Sequence, residues 1–188
     1  MIAIDIDGVI ANTPPWFEKE IEEKIGEKLK FTEPRTYRFG LNVSDADCLD
    51  CVTNALSKYH DSIVPYNIYD IKEILTKLNM YQGRVTFLTA RENIAEVRAL
   101  TYSWFNKHFP ILNYKIVFLG EGVCKKEWMV ENGFNCIVED RLRTANRIDI
   151  EYGNTYLVNR EWNIGRETLP HVIRVDDVCE ALVLYFNR

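Results

Sequence analysis

Apolar residues along the chain fall into short unbroken runs, separated by longer segments in which they recur every three or four positions. The runs are IAID (2–5), RVTFLT (84–89), KIVFLG (115–120), CIVED (136–140), NTYLVN (154–159) and HVIRV (171–175). Strands that are apolar on both faces belong to a parallel sheet covered by helices on either side. The intervening segments read as those helices. ENIAEVRALTYSWFNKHF (92–109) sets Ile94, Val97, Leu100, Trp104 and Phe105 on one stripe, and Pro110 follows it. CKKEWMVENGF (124–134) turns Trp128 and Met129 inward and predicts a C-cap at Gly133. VCEALVLYF (178–186) predicts a last helix. Strand alternating with helix predicts a right-handed, doubly wound α/β domain with a mostly parallel sheet.

Residues 13–80 break this rhythm, because they hold helical patterns and loops but no strand pattern. Thr13 is a candidate N-cap with Pro14 at the first helical position, predicting a helix to about Lys30. A loop with Pro34 and Gly40 follows, then helices near 45–60 and 68–80. Aromatic residues are dense here: Trp16, Phe17, Phe31, Tyr37, Phe39, Tyr59, Tyr66 and Tyr69. The expected organisation is a core domain of residues 1–12 and 81–188, with 13–80 as a small helical cap inserted after the first strand.

Composition narrows the class of partner. With 188 residues, of which 47% are hydrophobic, the chain can bury a sizeable core without covalent staples. The formal net charge of -5 argues against duplex nucleic acid as a partner. A small anionic substrate would need local cations or a metal. No apolar run approaches the roughly 18 residues of a membrane span, and Asp5 and Asp7 interrupt any signal-like segment, so a cytoplasmic location is expected. The five cysteines, Cys48, Cys51, Cys124, Cys136 and Cys179, read as free thiols. Cys48 and Cys51 lack the second ligand pair of a zinc site and read as small residues one helical turn apart. His60, His108 and His171 are scattered and read as structural or surface residues.

Ligands of open α/β sheets bind at the carboxyl ends of the strands. The first run ends in Asp5-Ile6-Asp7-Gly8, the second in Leu88-Thr89-Ala90-Arg91 and the fourth in Glu139-Asp140-Arg141. Lys125 and Lys126 open the helix after the third. Mg²⁺ takes one or two carboxylates plus substrate phosphate; Asp5 and Asp140 fit that part, with the Asp7 carbonyl as a third oxygen. A carboxylate can also attack phosphorus and form an aspartyl phosphate, and Asp5, closing its strand, is placed to do so. Asp7 can protonate the leaving alkoxide and later deprotonate water. Thr89 and the neighbouring N–H groups of Ala90 and Arg91 would hold phosphoryl oxygens, with Lys125 offsetting charge. Lys125 is preferred over Lys126 because Trp128 and Met129 then fall inward one turn later. The Arg91 side chain either contacts phosphate or pairs with Glu139 or Asp140. Trp16, Phe17 and Tyr66 are the aromatics best placed to line a substrate.

DIDGVI, a Thr closing the second strand, a helix-initial Lys and the acidic pair Glu139-Asp140 together resemble the haloacid dehalogenase superfamily, in order and spacing, over essentially the whole chain. The resemblance implies Asp5 as nucleophile, Asp7 as acid/base and hence phosphoryl transfer rather than dehalogenation. Glu139 stands where a second aspartate is common, which makes Asp140 the metal ligand and Glu139 a support behind it. DIDGVIAN, FLTAR (87–91), VEDR (138–141) and LVNREWN (157–163) are similar to segments of the C-type 5'-nucleotidases, the 5'(3')-deoxyribonucleotidase group. That resemblance implies a Mg²⁺-dependent phosphomonoesterase acting on (deoxy)ribonucleoside monophosphates. The alternatives are a phosphatase of the same fold acting on a sugar phosphate or a polynucleotide 3'-phosphate, and a non-catalytic nucleotide-binding module.

Overall fold

Six strands form one all-parallel sheet: β1 (Ile2–Ile4), β2 (Val85–Thr89), β3 (Ile116–Phe118), β4 (Cys136–Glu139), β5 (Asn154–Val158) and β6 (Val172–Val175). The computed structural model describes residues 1–26, 28, 45–79, 84–110, 113–120, 122–151 and 153–187, the side chains of 45–49 excepted. The expected loop with Pro34 and Gly40, and the aromatics Phe31, Tyr37 and Phe39, lie outside them.

Strand order is β3-β2-β1-β4-β5-β6, so the chain starts at the centre, works outward to one edge, and returns to β1's other side. Ile2 pairs with Val85 on one side and Cys136 on the other, and Ile4 with Phe87 and Val138. That reversal beside β1 is the topological switch point, where the strand ends leave a crevice.

The helices are α1 (Pro14–Ile25), α2 (Asp45–Lys58), α3 (Ile68–Asn79), α4 (Ala95–His108), α5 (Lys125–Glu131), α6 (Leu142–Arg147) and α7 (Val178–Phe186), with a 3-10 turn at His60–Ser62. They cover both faces of the sheet, as the unbroken apolar runs require. On one face Ile2, Ile4, Phe87, Val138 and Tyr156 join the main core. On the other, Ala3, Leu88 and Ile137 pack with Met129, Phe134 and Ile148. Phe17, Leu56, Ile63, Ile71 and Leu75 belong to the same core as Ile2 and Ile4, so α1, α2 and α3 bury their inner faces against the sheet-side core.

Boundaries shift where local geometry overrides the pattern. Helix α1 stops at Ile25, short of Lys30, because Gly26 turns left-handed (φ 73°) and returns its N–H to the Glu22 carbonyl. Helix α4 starts only at Ala95. Ile94 is its extended N-cap (φ -101°, ψ 155°) and is 47% exposed, so it leaves the expected stripe and Thr101 joins Val97, Trp104 and Phe105 on the buried face. Gly133 (φ 72°) follows the Asn132 C-cap of α5. Cys51 is buried in α2, and the Cys48 side chain lies outside the described residues. Among the described residues no helix is long and apolar enough to cross a membrane.

Candidate active site

Asp5 follows β1 directly and extends its pairing, its N–H donating to the Val138 carbonyl at 2.9 Å. It is 5% exposed, and both carboxylate oxygens accept hydrogen bonds: Oδ1 from the Ile6 N–H at 2.9 Å, and Oδ2 from Lys125 Nζ at 2.9 Å. Lys125, the first residue of α5, also reaches Glu139 Oε2 at 2.8 Å. Glu139 is fully buried at the end of β4, and its Oε1 accepts the Arg141 N–H at 3.1 Å. Of the two adjacent lysines, Lys125 is the one that contacts Asp5 and Glu139. Lys126, beside it, is half-buried.

Asp140 is 5% exposed, and three groups fix it. Trp162 Nε1 donates to its Oδ2 at 3.0 Å, and Asn163 Nδ2 donates to its main-chain carbonyl at 2.7 Å. From the other side comes Gly8, at φ 77°, where a Cβ would collide with Asp140 Oδ2 and lie 2.6 Å from its Cγ. The glycine is thus required twice, for its backbone conformation and for its close approach. Gly8→Ala is expected to lower stability by about 2 to 4 kcal/mol and to cut turnover at least about 100-fold by displacing Asp140. Urea unfolding and phosphate release measure the two. A variant that keeps wild-type activity would show that Asp140's position is not critical.

The Asp7 side chain is held by Arg91 and stands apart from the Asp5, Glu139 and Asp140 carboxylates. Arg91 Nε donates to Asp7 Oδ2 at 2.9 Å and Nη2 to Oδ1 at 2.7 Å. This corrects the expectation that Arg91, if not on phosphate, pairs with Glu139 or Asp140. Arg91 Nη1 donates to Thr101 Oγ1 at 2.8 Å, and the Arg91 main-chain N–H to Thr89 Oγ1 at 3.1 Å. Thr89 is fully buried at the end of β2, whereas Ala90 is exposed in the loop that follows.

Electrostatically the site is short of positive charge. Asp5, Glu139 and Asp140 bring carboxylate oxygens within 4.8 Å of one another, and all are buried. Burial, then Glu139, raise Asp5 to about 7 against the pull of Lys125. Burial, Glu139 and Asp5 hold Asp140 well above the usual carboxylate range. Burial alone would raise Glu139 too, but Lys125 and Arg141 bring it below its ordinary value. The Lys125 ammonium, despite burial, is held above its usual range by Asp5 and Glu139. One ammonium among three carboxylates is the charge pattern of an oxygen-ligand site for a hard divalent cation.

The aromatic expectations divide. Trp16 stacks on Tyr59 (centroids 4.9 Å, 29°), with Lys19 Nζ 4.7 Å from the Tyr59 ring. Tyr66 donates to Asn12 Oδ1 at 2.7 Å and lies under the Arg160 guanidinium at 4.0 Å. Phe17 is 2% exposed inside the main core, which leaves its ring no face for a substrate. It is a packing residue, corrected from the expected lining set.

No protein-family model matches the chain, and no curated protein sequence does. Solved structures do match. A hydrolase from Pseudomonas syringae superposes with TM-score 0.66 at 11% identity, over 99% of this chain and 97% of that one. CbbY from Rhodobacter sphaeroides, in complex with phosphate, gives 0.66 at 14% identity over 95% and 94%. A HAD family hydrolase from Deinococcus radiodurans R1, with bound phosphate and sodium, gives 0.60 at 13% over 98% and 93%. The chain has the haloacid dehalogenase fold. The superpositions cover nearly all of each chain and are not confined to the sheet. Four polar residues of this chain had no assigned role from sequence: Thr101, Arg160, Trp162 and Asn163. Arg160 donates from Nε to the Gly8 carbonyl at 2.7 Å and from Nη2 to the Val9 carbonyl at 3.1 Å, pinning the loop that carries Asp7. For Arg160, Trp162 and Asn163 the sequence signal is the segment LVNREWN and its resemblance to the C-type 5'-nucleotidases, and for Thr101 a hydroxyl on an otherwise apolar helix face.

Proposed function

We propose that the protein is a Mg²⁺-dependent phosphomonoesterase that works through an aspartyl phosphate on Asp5. The observation that supports it best is the buried Asp5 carboxylate, fixed by Ile6 N–H and Lys125, in one cluster with Asp140 and Glu139. Asp5 and Asp140, with the Asp7 main-chain carbonyl, would hold the cation, and Glu139 stands behind them. When bound, the cation polarises the phosphoryl oxygens and offsets charge on the nucleophile.

The residues divide the rest of the work. Each Asp5 oxygen keeps a lone pair beyond its hydrogen bond. One attacks phosphorus, forming a P–O bond to the carboxylate as the ester P–O bond breaks. Asp7 delivers a proton to the departing oxygen, then takes one from the water that attacks phosphorus and restores Asp5. The Ala90 N–H and the Thr89 hydroxyl take phosphoryl oxygens. The Arg91 N–H is already engaged by Thr89 and does not serve as expected. Lys125 stabilises the charge that gathers around Asp5.

The substrate we favour is a (deoxy)ribonucleoside monophosphate. The resemblance of DIDGVIAN, FLTAR, VEDR and LVNREWN to C-type 5'-nucleotidases supports it, as does the half-buried Tyr66 ring under Arg160, whose guanidinium holds the Gly8 carbonyl. A sugar phosphate is the second reading, favoured by the structure of a CbbY mutant in complex with xylulose-(1,5)bisphosphate, which superposes at TM-score 0.66 and 14% identity. Phosphate release from nucleoside 5'- and 3'-monophosphates and sugar phosphates, with Mg²⁺ and with EDTA, tests both. Nucleotides should turn over fastest, and EDTA should remove at least about 99% of the activity. A sugar phosphate turned over faster than every nucleotide would reverse the substrate preference. No release from any ester would overturn the phosphomonoesterase reading.

A further inference from the structure

Asp7 acts on a leaving oxygen through one of its own carboxylate oxygens, and Arg91 donates to both of them. The guanidinium forks across the carboxylate, the two-point geometry it also forms with a phosphate group. It is anchored from behind. Its third nitrogen donates to Thr101 Oγ1 at 2.8 Å, and that hydroxyl donates to the Val97 carbonyl at 2.7 Å. The Arg91 side chain is 4% exposed and that of Asp7 16%, so the carboxylate is the more accessible member of the pair and covers the outward edge of the fork. Arg91 also follows Thr89 and Ala90 in the loop assigned to phosphoryl oxygens, and its N–H is tied to the Thr89 hydroxyl. An arriving phosphoryl group therefore meets a bidentate donor whose present occupant is the acid/base.

We propose that Arg91 is a positioning residue that works by exchange. In the resting protein it holds Asp7 by both oxygens. A phosphoryl oxygen of the monoanionic ester takes over one arm of the fork and passes its proton to the Asp7 oxygen so released, which turns to the leaving oxygen and delivers the proton there. Thr101 keeps the guanidinium in place throughout, so the fork changes partner without moving. The inference rests on the phosphomonoesterase reading and goes beyond it, because it makes the readiness of Asp7 conditional on an occupied phosphate site.

A double-mutant cycle on inorganic phosphate binding tests the exchange. Calorimetric titration in Mg²⁺ compares the wild type, Asp7→Asn, Arg91→Lys and the double variant. An asparagine side chain presents one acceptor oxygen and no charge, so Asp7→Asn should tighten phosphate binding about tenfold where Arg91 is present. A lysine keeps the charge but has no fork. In the Arg91→Lys background the same change should alter affinity less than about twofold. Arg91→Met repeats the cycle without the charge, and thermal melts show that each variant is folded. An equal factor in both backgrounds, or no tightening at all, overturns the exchange, since a merely structural ion pair or a through-space charge effect gives that result. Ester turnover with such a flat cycle sinks the exchange alone. Failure of all the folded proteins to bind phosphate sinks the phosphomonoesterase reading with it.

Discussion

Asp5→Asn should lower phosphate release by about 10⁴-fold or more while the protein stays folded. The amide has the shape of the carboxylate and still offers an oxygen to the Ile6 N–H, so the turn after β1 keeps its hydrogen bond. What it lacks is a nucleophilic oxygen, and no other described carboxylate at the site is held in the same way. Glu139 is tied to Lys125 and the Arg141 N–H, and Asp140 to Trp162. Stability should change little, because two effects oppose. Lys125 loses one of its two partners, but one of three crowded carboxylates becomes neutral. Single-turnover phosphate release and a thermal melt, both in Mg²⁺, give the two numbers. Activity within tenfold of the wild type would remove Asp5 from the role of nucleophile.

The largest effect on stability should come from Lys125→Met. The side chain is 9% exposed and lies 2.9 Å from Asp5 Oδ2 and 2.8 Å from Glu139 Oε2. Methionine is close in length and carries no charge, so the substitution isolates the ammonium. Removing one partner from a buried ionic group costs about 3 to 5 kcal/mol, because the other charge stays buried and uncompensated. In a chain of this length that is roughly a 10 °C fall in melting temperature.

The sign with pH follows from the carboxylates. Asp5 already sits at about 7, above its ordinary 3.8, through burial and Glu139, and loss of Lys125 pushes it further up. A carboxyl raised in the folded state binds protons that the unfolded chain has released. Its contribution is therefore lost as pH rises above the unfolded value. The gap between wild type and variant should be widest near pH 8 and should narrow toward pH 5, in urea melts with EDTA. Added Mg²⁺ should recover part of the loss by mass action on the folded state. A loss under about 1 kcal/mol at pH 8, or a gap that does not depend on pH, would show that Lys125 is not the counter-charge of the cluster.

Much of this was legible in the chain because local patterns and global topology agree. Runs such as VTFLT and CIVE are apolar on both faces, and that pattern alone implies a sheet covered on both sides. Asp5, Lys125 and Asp140 come together as the strand ends lead one to expect, because a parallel sheet brings all its strand ends to one edge, whatever their separation in sequence. Strand order and side-chain partners depend on contacts that no local pattern encodes. The Arg91–Asp7 pair spans 84 positions, and Arg160 reaches the Gly8 carbonyl across 152. Phe17 shows the same limit within one helix. Trp16 and Phe17 are adjacent and both aromatic, and only the angle at which α1 settles on the core decides which ring is buried.

The central place of β1 has a consequence for how the chain is made. Ile2 pairs with Val85 and with Cys136, so this strand has no neighbour until the chain has been made to residue 85, and gains its second only at residue 136. At roughly 5 to 20 residues per second the wait is on the order of several seconds to tens of seconds. Throughout it IAI is an apolar β-forming segment with an open edge, the kind that recruits other chains. Asp5 and Asp7 follow it at once, and charges flanking such a segment discourage association before folding. The two carboxylates thus guard the nascent strand before they have any site to serve.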